Sequence, residues 1–306
     1  MPFMAQQPHY RGRFAPSPTG PLHFGSMVAA VGSYLQARRQ GGSWLVRMED
    51  LDPPREVPGA AAAILRTLER FGFQWDGDVV YQSQRSEAYI ETLERLSSNG
   101  LVYPCGCTRS EIAEAAPAGR YGPIYQGICR QGLSKDRQPR ALRVLTHDAP
   151  TVFTDALLGR FEQRIEKEIG DFVVRRADKL FAYQLAVVVD DAEQQISEVV
   201  RGADLLDNTP RQIHLQQLLG LPTPRYVHLP VALTADGQKL SKQTGAAGIH
   251  ELRQQLVLFQ VLEFLNQQPP VELMDADLDD LWRWAVEHWR LEAVPHGNLP
   301  APLIQP

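Results

Sequence analysis

The stretch Gly12-Arg-Phe-Ala-Pro-Ser-Pro-Thr-Gly-Pro-Leu-His-Phe-Gly-Ser26 constrains this chain more than any other. Arg13 and Phe14 favour the end of a strand. Pro16, Pro18, Gly20 and Pro21 then exclude both helix and central strand, so the chain must turn. From Met27 to Arg39 apolar residues recur at helical spacing and the last turn is basic, which predicts a helix. A strand, a Pro/Gly turn carrying Ser17, Thr19 and His23, and a helix start form an architecture suited to phosphate. On turn chemistry alone an ordinary strand–loop–helix connection fits equally well.

The rest of the chain continues the same rhythm. Trp44–Met48 reads as a second buried strand running into Glu49-Asp-Leu-Asp52, and acids after a strand sit where α/β sheets bind ligands. Ala60–Phe71 and Ser86–Ser97 read as amphipathic helices around a short strand at Val79–Tyr81. Strand, helix, strand, helix implies an α/β fold with a doubly wound parallel sheet. Further on, Asp171–Arg176, Phe181–Val189 and Glu198–Arg201 read as β-rich, with Asp190 and Asp191 ending the second run. Pro210–Leu219 reads as a helix, Tyr226–Leu233 as a strand, Thr234–Gln238 as a turn, and the chain from Ile249 as helical.

Between them, the segment from Leu101 to Arg143 holds all three cysteines, Cys105, Cys107 and Cys129. From Cys105 onward it carries seven Lys/Arg against three acids. That local excess on a chain of net charge −5 suggests either a solvated loop or a polyanion contact. Three cysteines are too few for a secreted disulfide framework, and no apolar run reaches bilayer length. The expectation is a cytoplasmic protein with no membrane partner. A second lysine-bearing loop, Lys239-Leu-Ser-Lys242, completes a pair of features suited to nucleotide chemistry, because phosphate transfer needs positive charge brought onto the phosphates.

Taken together, these motifs resemble a known family. Pro16–Ser26 is similar to the HIGH region of class I aminoacyl-tRNA synthetases, and Lys239-Leu-Ser-Lys-Gln243 to their KMSKS loop. The Arg13-Phe-Ala-Pro-Ser17 opening resembles the glutamyl branch. The stretch after Gly248 is shorter than that branch's helical anticodon-binding region. A short glutamyl core with a cysteine-bearing insert resembles the glutamyl-Q tRNA(Asp) synthetases, which attach glutamate to the queuosine base in the anticodon of tRNA(Asp). The fold so implied is a Rossmann-like class I synthetase core with an inserted zinc-bearing subdomain and a short helical C-terminal region. The expected boundaries are a disordered extension at 1–10, a first half of the core at 11–100, an insert at 101–145, a second half at 146–248 and a helical region at 249–306.

The resemblance also implies roles. Arg13, Phe14, Ala15, Pro16, Ser17, Glu49, Tyr183 and Arg201 would hold L-glutamate. His23, Gly25, Ser26 and Lys242 would hold ATP, used with Mg²⁺, and His23, Lys239 and Lys242 would serve catalysis. A structural Zn²⁺ would be held by Cys105, Cys107, Tyr125 and Cys129. Ligand chemistry alone prefers His147 to a tyrosine, Tyr121 competes with Tyr125, and three buried thiols without metal stay open. Two residues depart from the family pattern. Ser26 stands where the motif has a second histidine, and Val187 stands where glutamyl enzymes carry an amide, which suggests an altered substrate-side wall. The partners implied are glutamate, ATP and queuosine-bearing tRNA(Asp), with the protein acting as a monomer. A short glutamyl-tRNA synthetase charging the acceptor end, and a non-catalytic paralogue, are the competing readings.

Overall fold

The computed structural model describes residues 9–234, 236–240, 248–249 and 252–302. The first half runs β1 (Arg11–Phe14), α1 (Phe24–Arg39), β2 (Ser43–Met48), α2 (Ala60–Arg70), β3 (Val80–Tyr81) and α3 (Ser86–Ser98). Next come β4 (Val102–Cys105), α4 (Arg109–Ala115), β5 (Ala118–Gly119), β6 (Gly122–Pro123) and β7 (Ala141–Val144). The second half holds β8 (Thr151–Asp155), β9 (Gly159–Gln163), α5 (Ile165–Glu168), β10 (Val173–Arg175), α6 (Tyr183–Glu193), β11 (Glu198–Gly202), α7 (Thr209–Leu219) and β12 (Arg225–Leu229). The chain ends with β13 (Ala232–Leu233), α8 (Gln254–Phe264), α9 (Leu278–His288) and β14 (Leu299–Pro300).

The expected parallel, doubly wound arrangement is present as two hydrogen-bonded sheets that abut. Strands β1, β2 and β3 are parallel, and so are β11, β12 and β8, with β9 antiparallel at the edge. The two sheets meet where β1 lies beside β11, and the Ser197 N–H donates to the Arg11 carbonyl at 3.0 Å. Alternate residues of these strands enter different cores. Trp44, Val46, Val200 and Val227 face a core shared with α1, α8 and α9, whereas Leu45, Val199 and Tyr226 face the other side. That alternation is what a sheet covered on both faces requires.

The reading of Phe181–Val189 as a strand is corrected. Tyr183–Glu193 is a helix, and every residue from Gln184 to Asp191 is buried. A helix enclosed all round loses the polar stripe that would mark its period, so its Val-rich run reads as a strand. Asp190 and Asp191 therefore sit inside α6 rather than at a strand end. The strand expected over Tyr226–Leu233 breaks at Pro230, which has no N–H for a central ladder. The antiparallel β8–β9 pair was not anticipated, although its alternation and the turn at Gly159 carry the signal.

The expected domain limits are porous. Tyr10, assigned to the extension, is tied to the core by its hydroxyl, which donates to Glu198 Oε2 at 2.8 Å. The C-terminal helices share the core of the first half, and the indoles of Trp282 and Trp289 donate to the Phe71 carbonyl at 2.7 Å and Gln36 Oε1 at 2.8 Å. The cysteine segment has its own small core, but its sheet, in the order β10–β7–β4, borrows a strand from beyond residue 145. At its base Gly170, with φ +78°, lets the Tyr125 carbonyl occupy the space that a Cβ would take.

Candidate functional site

A cleft of about 480 Å³ opens at the carboxyl ends of β1 and β11, where the strand order reverses. It gathers Arg13, Phe14, Ala15, Pro16, Ser17, His23, Gly25, Ser26, Glu49, Tyr183, Arg201 and Lys239 from positions up to 226 residues apart. Lys242, the other half of the lysine pair, lies outside the described residues.

One end is built around α1. The helix begins three residues earlier than expected, at Phe24, and His23 is its N-cap. The imidazole Nδ1 accepts the Ser26 N–H at 3.3 Å, so in the neutral ring the proton is on Nε2. The ring folds back because position 25 is glycine: a Cβ there would stand 3.2 Å from His23 Cε1. Ser26 thus joins the helix start through its backbone, while its hydroxyl takes the place of an imidazole. Lys239 borders the same space, and its ammonium pairs with Asp204 at 2.6 Å.

The other end is a lattice of buried charge. Arg13 closes β1 and donates from Nε and Nη2 to the two carboxylate oxygens of Asp191, at 3.1 and 3.4 Å. Arg47 is fully buried and reaches Asp191 at 2.8 Å, Gln194 at 2.7 Å and Glu49 at 3.3 Å. Burial pushes the Asp191 carboxyl up, but Arg13 and Arg47 outweigh it and hold its pKa below the usual range. Glu49 goes the other way. Burial raises its pKa and the pull of Arg47 and Arg13 does not offset that. A cation entering beside Glu49 would pull its pKa back down.

Arg201 closes β11 on the opposite wall. Its Nε donates to His228 Nε2 at 3.1 Å, Nη1 to the Tyr183 hydroxyl at 3.4 Å, and Nη2 to Thr209 Oγ1 at 2.7 Å. Val187, one turn beyond Tyr183, is buried in the core beneath α6 and does not line the cleft. Its departure from the amide pattern therefore alters that core rather than the cleft wall.

The cysteine segment forms a second site. Cys105, Cys107 and Cys129 are buried, and their sulfurs lie within 4.8 Å of one another. The Tyr125 hydroxyl stands 3.4 Å from Cys105 Sγ and 4.0 Å from Cys107 Sγ, while Cys107 and Cys129 are 3.6 Å apart. The competing candidates are not part of this group: His147 meets His214 edge to face, and Tyr121 interacts with Arg120 and Asp207. Burial and the neighbouring sulfurs raise the Cys107 thiol to about 11. Cys105 moves down, because hydrogen bonds from Tyr125 and Arg143 outweigh its burial. The group could hold a metal ion.

The basic face of this segment is smaller than its composition suggested. Arg130 is spent on Asp171 and Glu166, Arg137 pairs with Glu111, and Arg143 lies over the Tyr125 ring at 3.8 Å. Arg109, Arg120, Lys135 and Arg140 are exposed.

Sequence reasoning missed Arg47, Asp155, Thr209 and His228. A lone arginine in an apolar strand was the only available sign of the first. Nothing local marks the other three, which meet only through the fold.

Comparison with known proteins agrees with this geometry. Residues 9–262 match the family described as tRNA synthetases class I (E and Q), catalytic domain. The glutamyl-Q tRNA(Asp) synthetase of Dechloromonas aromatica (strain RCB) is 59% identical over 292 residues, covering 95% of this chain and 97% of that one. Its counterpart in Geobacter sulfurreducens is 52% identical, covering 96% of each. Among solved structures, the glutamate-tRNA synthetase of Elizabethkingia anophelis superposes with a TM-score of 0.80 at 24% identity, over 96% of this chain and 68% of that one, which shows a shared fold. The chain belongs to the class I tRNA synthetases of the glutamyl and glutaminyl branch, and within them to the glutamyl-Q tRNA(Asp) synthetase family.

Proposed function

We propose that the cleft activates L-glutamate with ATP to glutamyl-adenylate without tRNA, and that the enzyme then transfers the glutamate to the queuosine base in the anticodon of tRNA(Asp). The observation that carries this reading is the meeting, in one cleft, of two arginines and a buried carboxylate with a capped helix start and a lysine. Glutamate brings two carboxylates and one ammonium. Arg13 and Arg201 suit the carboxylates, Glu49 the ammonium, and Tyr183 with Phe14, Ala15, Pro16 and Ser17 completes the walls. His23, Gly25 and Ser26 at the start of α1 would receive the ATP phosphates. Lys239 and Lys242 would neutralise charge on the departing pyrophosphate, and Mg²⁺ carried by ATP would share that charge.

The residues need to supply position rather than strong acid–base chemistry. An α-carboxylate oxygen of glutamate attacks the α-phosphorus, and the bond to the β-phosphate breaks. A hydroxyl of the queuosine cyclopentene ring then attacks the acyl carbon, and AMP leaves.

The cysteine cluster fits Zn²⁺. A tetrahedral ion with zinc–sulfur bonds of about 2.3 Å has sulfur–sulfur edges of roughly 3.8 Å and slightly shorter sulfur–oxygen edges. The 3.6 Å between Cys107 and Cys129 and the 3.4 Å between Cys105 and the Tyr125 hydroxyl match, while the 4.0 Å between Cys107 and that hydroxyl is longer than such an edge. Four protein donors would leave no open position, so the ion would be structural. For RNA, Arg109 and Arg140 border a cleft of about 660 Å³ that also contains Arg143 and Arg176. Reversing charge at Arg109 and Arg140 should weaken tRNA binding and flatten its salt dependence while sparing pyrophosphate exchange. Unchanged affinity would remove this surface from the contact.

The central experiment measures glutamate-dependent ATP–pyrophosphate exchange without tRNA, followed by transfer to tRNA(Asp) with and without queuosine. Exchange alone and queuosine-dependent transfer are the expected results. Exchange that requires tRNA(Glu), or label at the acceptor end, would overturn the reading.

A further inference from the structure

Arg201 and Arg13 look equivalent as carboxylate readers, but they are held in different ways. Arg13 touches its counter-ion, Asp191, directly. No carboxylate touches Arg201 among the described residues. Its Nε–H has only one role, donation, so His228 Nε2 must accept. The imidazole proton is then on Nδ1, which donates to Asp155 Oδ2 at 2.6 Å. Asp155 is closed off in turn, because its Oδ1 accepts the N–H groups of Leu157 at 3.0 Å and Leu158 at 2.9 Å. His228 and Asp155 are each 1% exposed, so water cannot substitute for either link. Thr209 Oγ1 accepts from Arg201 Nη2 at 2.7 Å and stands 3.2 Å from His228 Nε2, bracing the same corner.

We infer that Asp155 and His228 act as positioning residues, a buried relay from β8 through β12 that sets the plane of the Arg201 guanidinium while keeping its counter-charge one imidazole away. The inference rests on the reading of Arg201 as a glutamate contact. A directly paired guanidinium shares its charge with its partner. An arginine steadied through a neutral ring keeps that charge for an incoming carboxylate, and its orientation does not have to be chosen when substrate arrives. The protonation states agree with the geometry. Burial holds His228 neutral against the pull of Asp155, and Asp155 stays ionised because hydrogen bonds from His228 and the Leu158 N–H outweigh its burial.

Asp155→Asn tests the relay with little change in shape. If the amide turns its NH₂ towards Nδ1, the imidazole must shift its proton to Nε2, where it opposes the Arg201 Nε–H. The expected result is a glutamate KM in pyrophosphate exchange raised by about tenfold or more, with kcat and the ATP KM moving far less. Two substitutions at 228 separate positioning from bulk stability. His228→Gln keeps an acceptor near the Nε2 position, whereas His228→Asn keeps a group near Nδ1 and abandons Arg201. The glutamine variant should therefore retain the lower glutamate KM of the two at comparable melting temperature. Arg201→Ala is the control for the underlying reading. If it leaves the glutamate KM unchanged, the assignment of the cleft fails. If it raises that KM while Asp155→Asn does not, or if both His228 variants lose glutamate affinity equally, the relay fails and the cluster is only structural.

Discussion

Two buried polar clusters divide this molecule, and they are completed differently. In the cleft, Arg13 and Arg47 pair with Asp191, Arg47 also reaches Glu49, and Asp190 pairs with Arg85 at 2.6 Å and takes hydrogen bonds from Gln82 at 2.7 Å and Tyr89 at 2.8 Å. At the base of the insert, Asp171 gathers Arg130, the Tyr103 hydroxyl and the Thr146 N–H, while the sulfurs and the Tyr125 phenol meet one another and accept from Arg143, Arg137 and the Cys129 N–H. The first cluster is held by direct pairs between protein charges, with Arg47 Nε left without a hydrogen bond. The second has donors for an ion at its centre and a small apolar core around them. Direct charge pairing therefore dominates the catalytic half, whereas the thiols of the insert could hold a metal ion.

The largest expected effect comes from opening the first cluster. Asp191→Asn would leave Arg13 and Arg47 without their shared carboxylate in a buried site. Removing one partner of such a pair costs about 3–5 kcal/mol. Urea denaturation followed by the tryptophans, all five of which lie outside residues 101–145, reads this directly. The glutamate KM should rise in the same variant. A variant as stable as the parent would mean that the lattice is not what fixes Arg13.

Removing the proposed Zn²⁺ from the second cluster should have a smaller and more local effect. An ion at 100 times its Kd contributes about 2.7 kcal/mol, and that contribution falls on the insert. After chelation the three thiols, which are all the cysteines of the chain, should react with a thiol reagent while tryptophan fluorescence stays native. Loss of pyrophosphate exchange on chelation would erase the distinction between the clusters.

How much of each cluster could be read from the sequence depends on how it is built. Ser17, His23 and Glu49 stood out because they follow strands or start a helix, where turn chemistry leaves a mark, whereas Arg13, inside β1, was singled out by the family resemblance. The grouping of the cysteines with Tyr125 was legible through the family resemblance, whereas ligand chemistry alone preferred His147. Asp190 and Asp191 were visible but misplaced, because α6 is buried all round and shows no period. His228 and Asp155 were invisible, since an imidazole in a strand and an aspartate before a turn acquire a role only when β8 pairs beside β12. The seven basic residues counted between Cys105 and Arg143 were likewise not sorted by the sequence: a count of charges does not show that Arg130 pairs with Asp171 and Glu166 and Arg137 with Glu111.

Acid is the finest probe of the comparison. Asp191 and Asp171 both have folded pKa values below their unfolded ones: burial raises each, but Arg13 and Arg47 outweigh it at Asp191, and Arg130, Tyr103 and Thr146 at Asp171. Depressed carboxylates stabilise the fold above their unfolded pKa, about 3.9, and lose that contribution as pH falls through the folded value. The contributions of these two carboxylates should therefore be level from neutral pH to about 5 and then fall by roughly 1.4 kcal/mol per pH unit for each proton taken up. Glu49 works in the opposite sense. Its raised pKa favours folding with the proton on, so its contribution is present in acid and fades as pH rises past about 4.3. The cleft thus carries a partial offset that the insert lacks, and Arg130 is more exposed than the arginines around Asp191. In metal-free protein the thiols should become reactive at a higher pH than the one at which tryptophan fluorescence changes. Coincident transitions would mean that the two clusters unfold as one cooperative unit, with the Gly170–Tyr125 contact at the base of the insert as the joint to cut next.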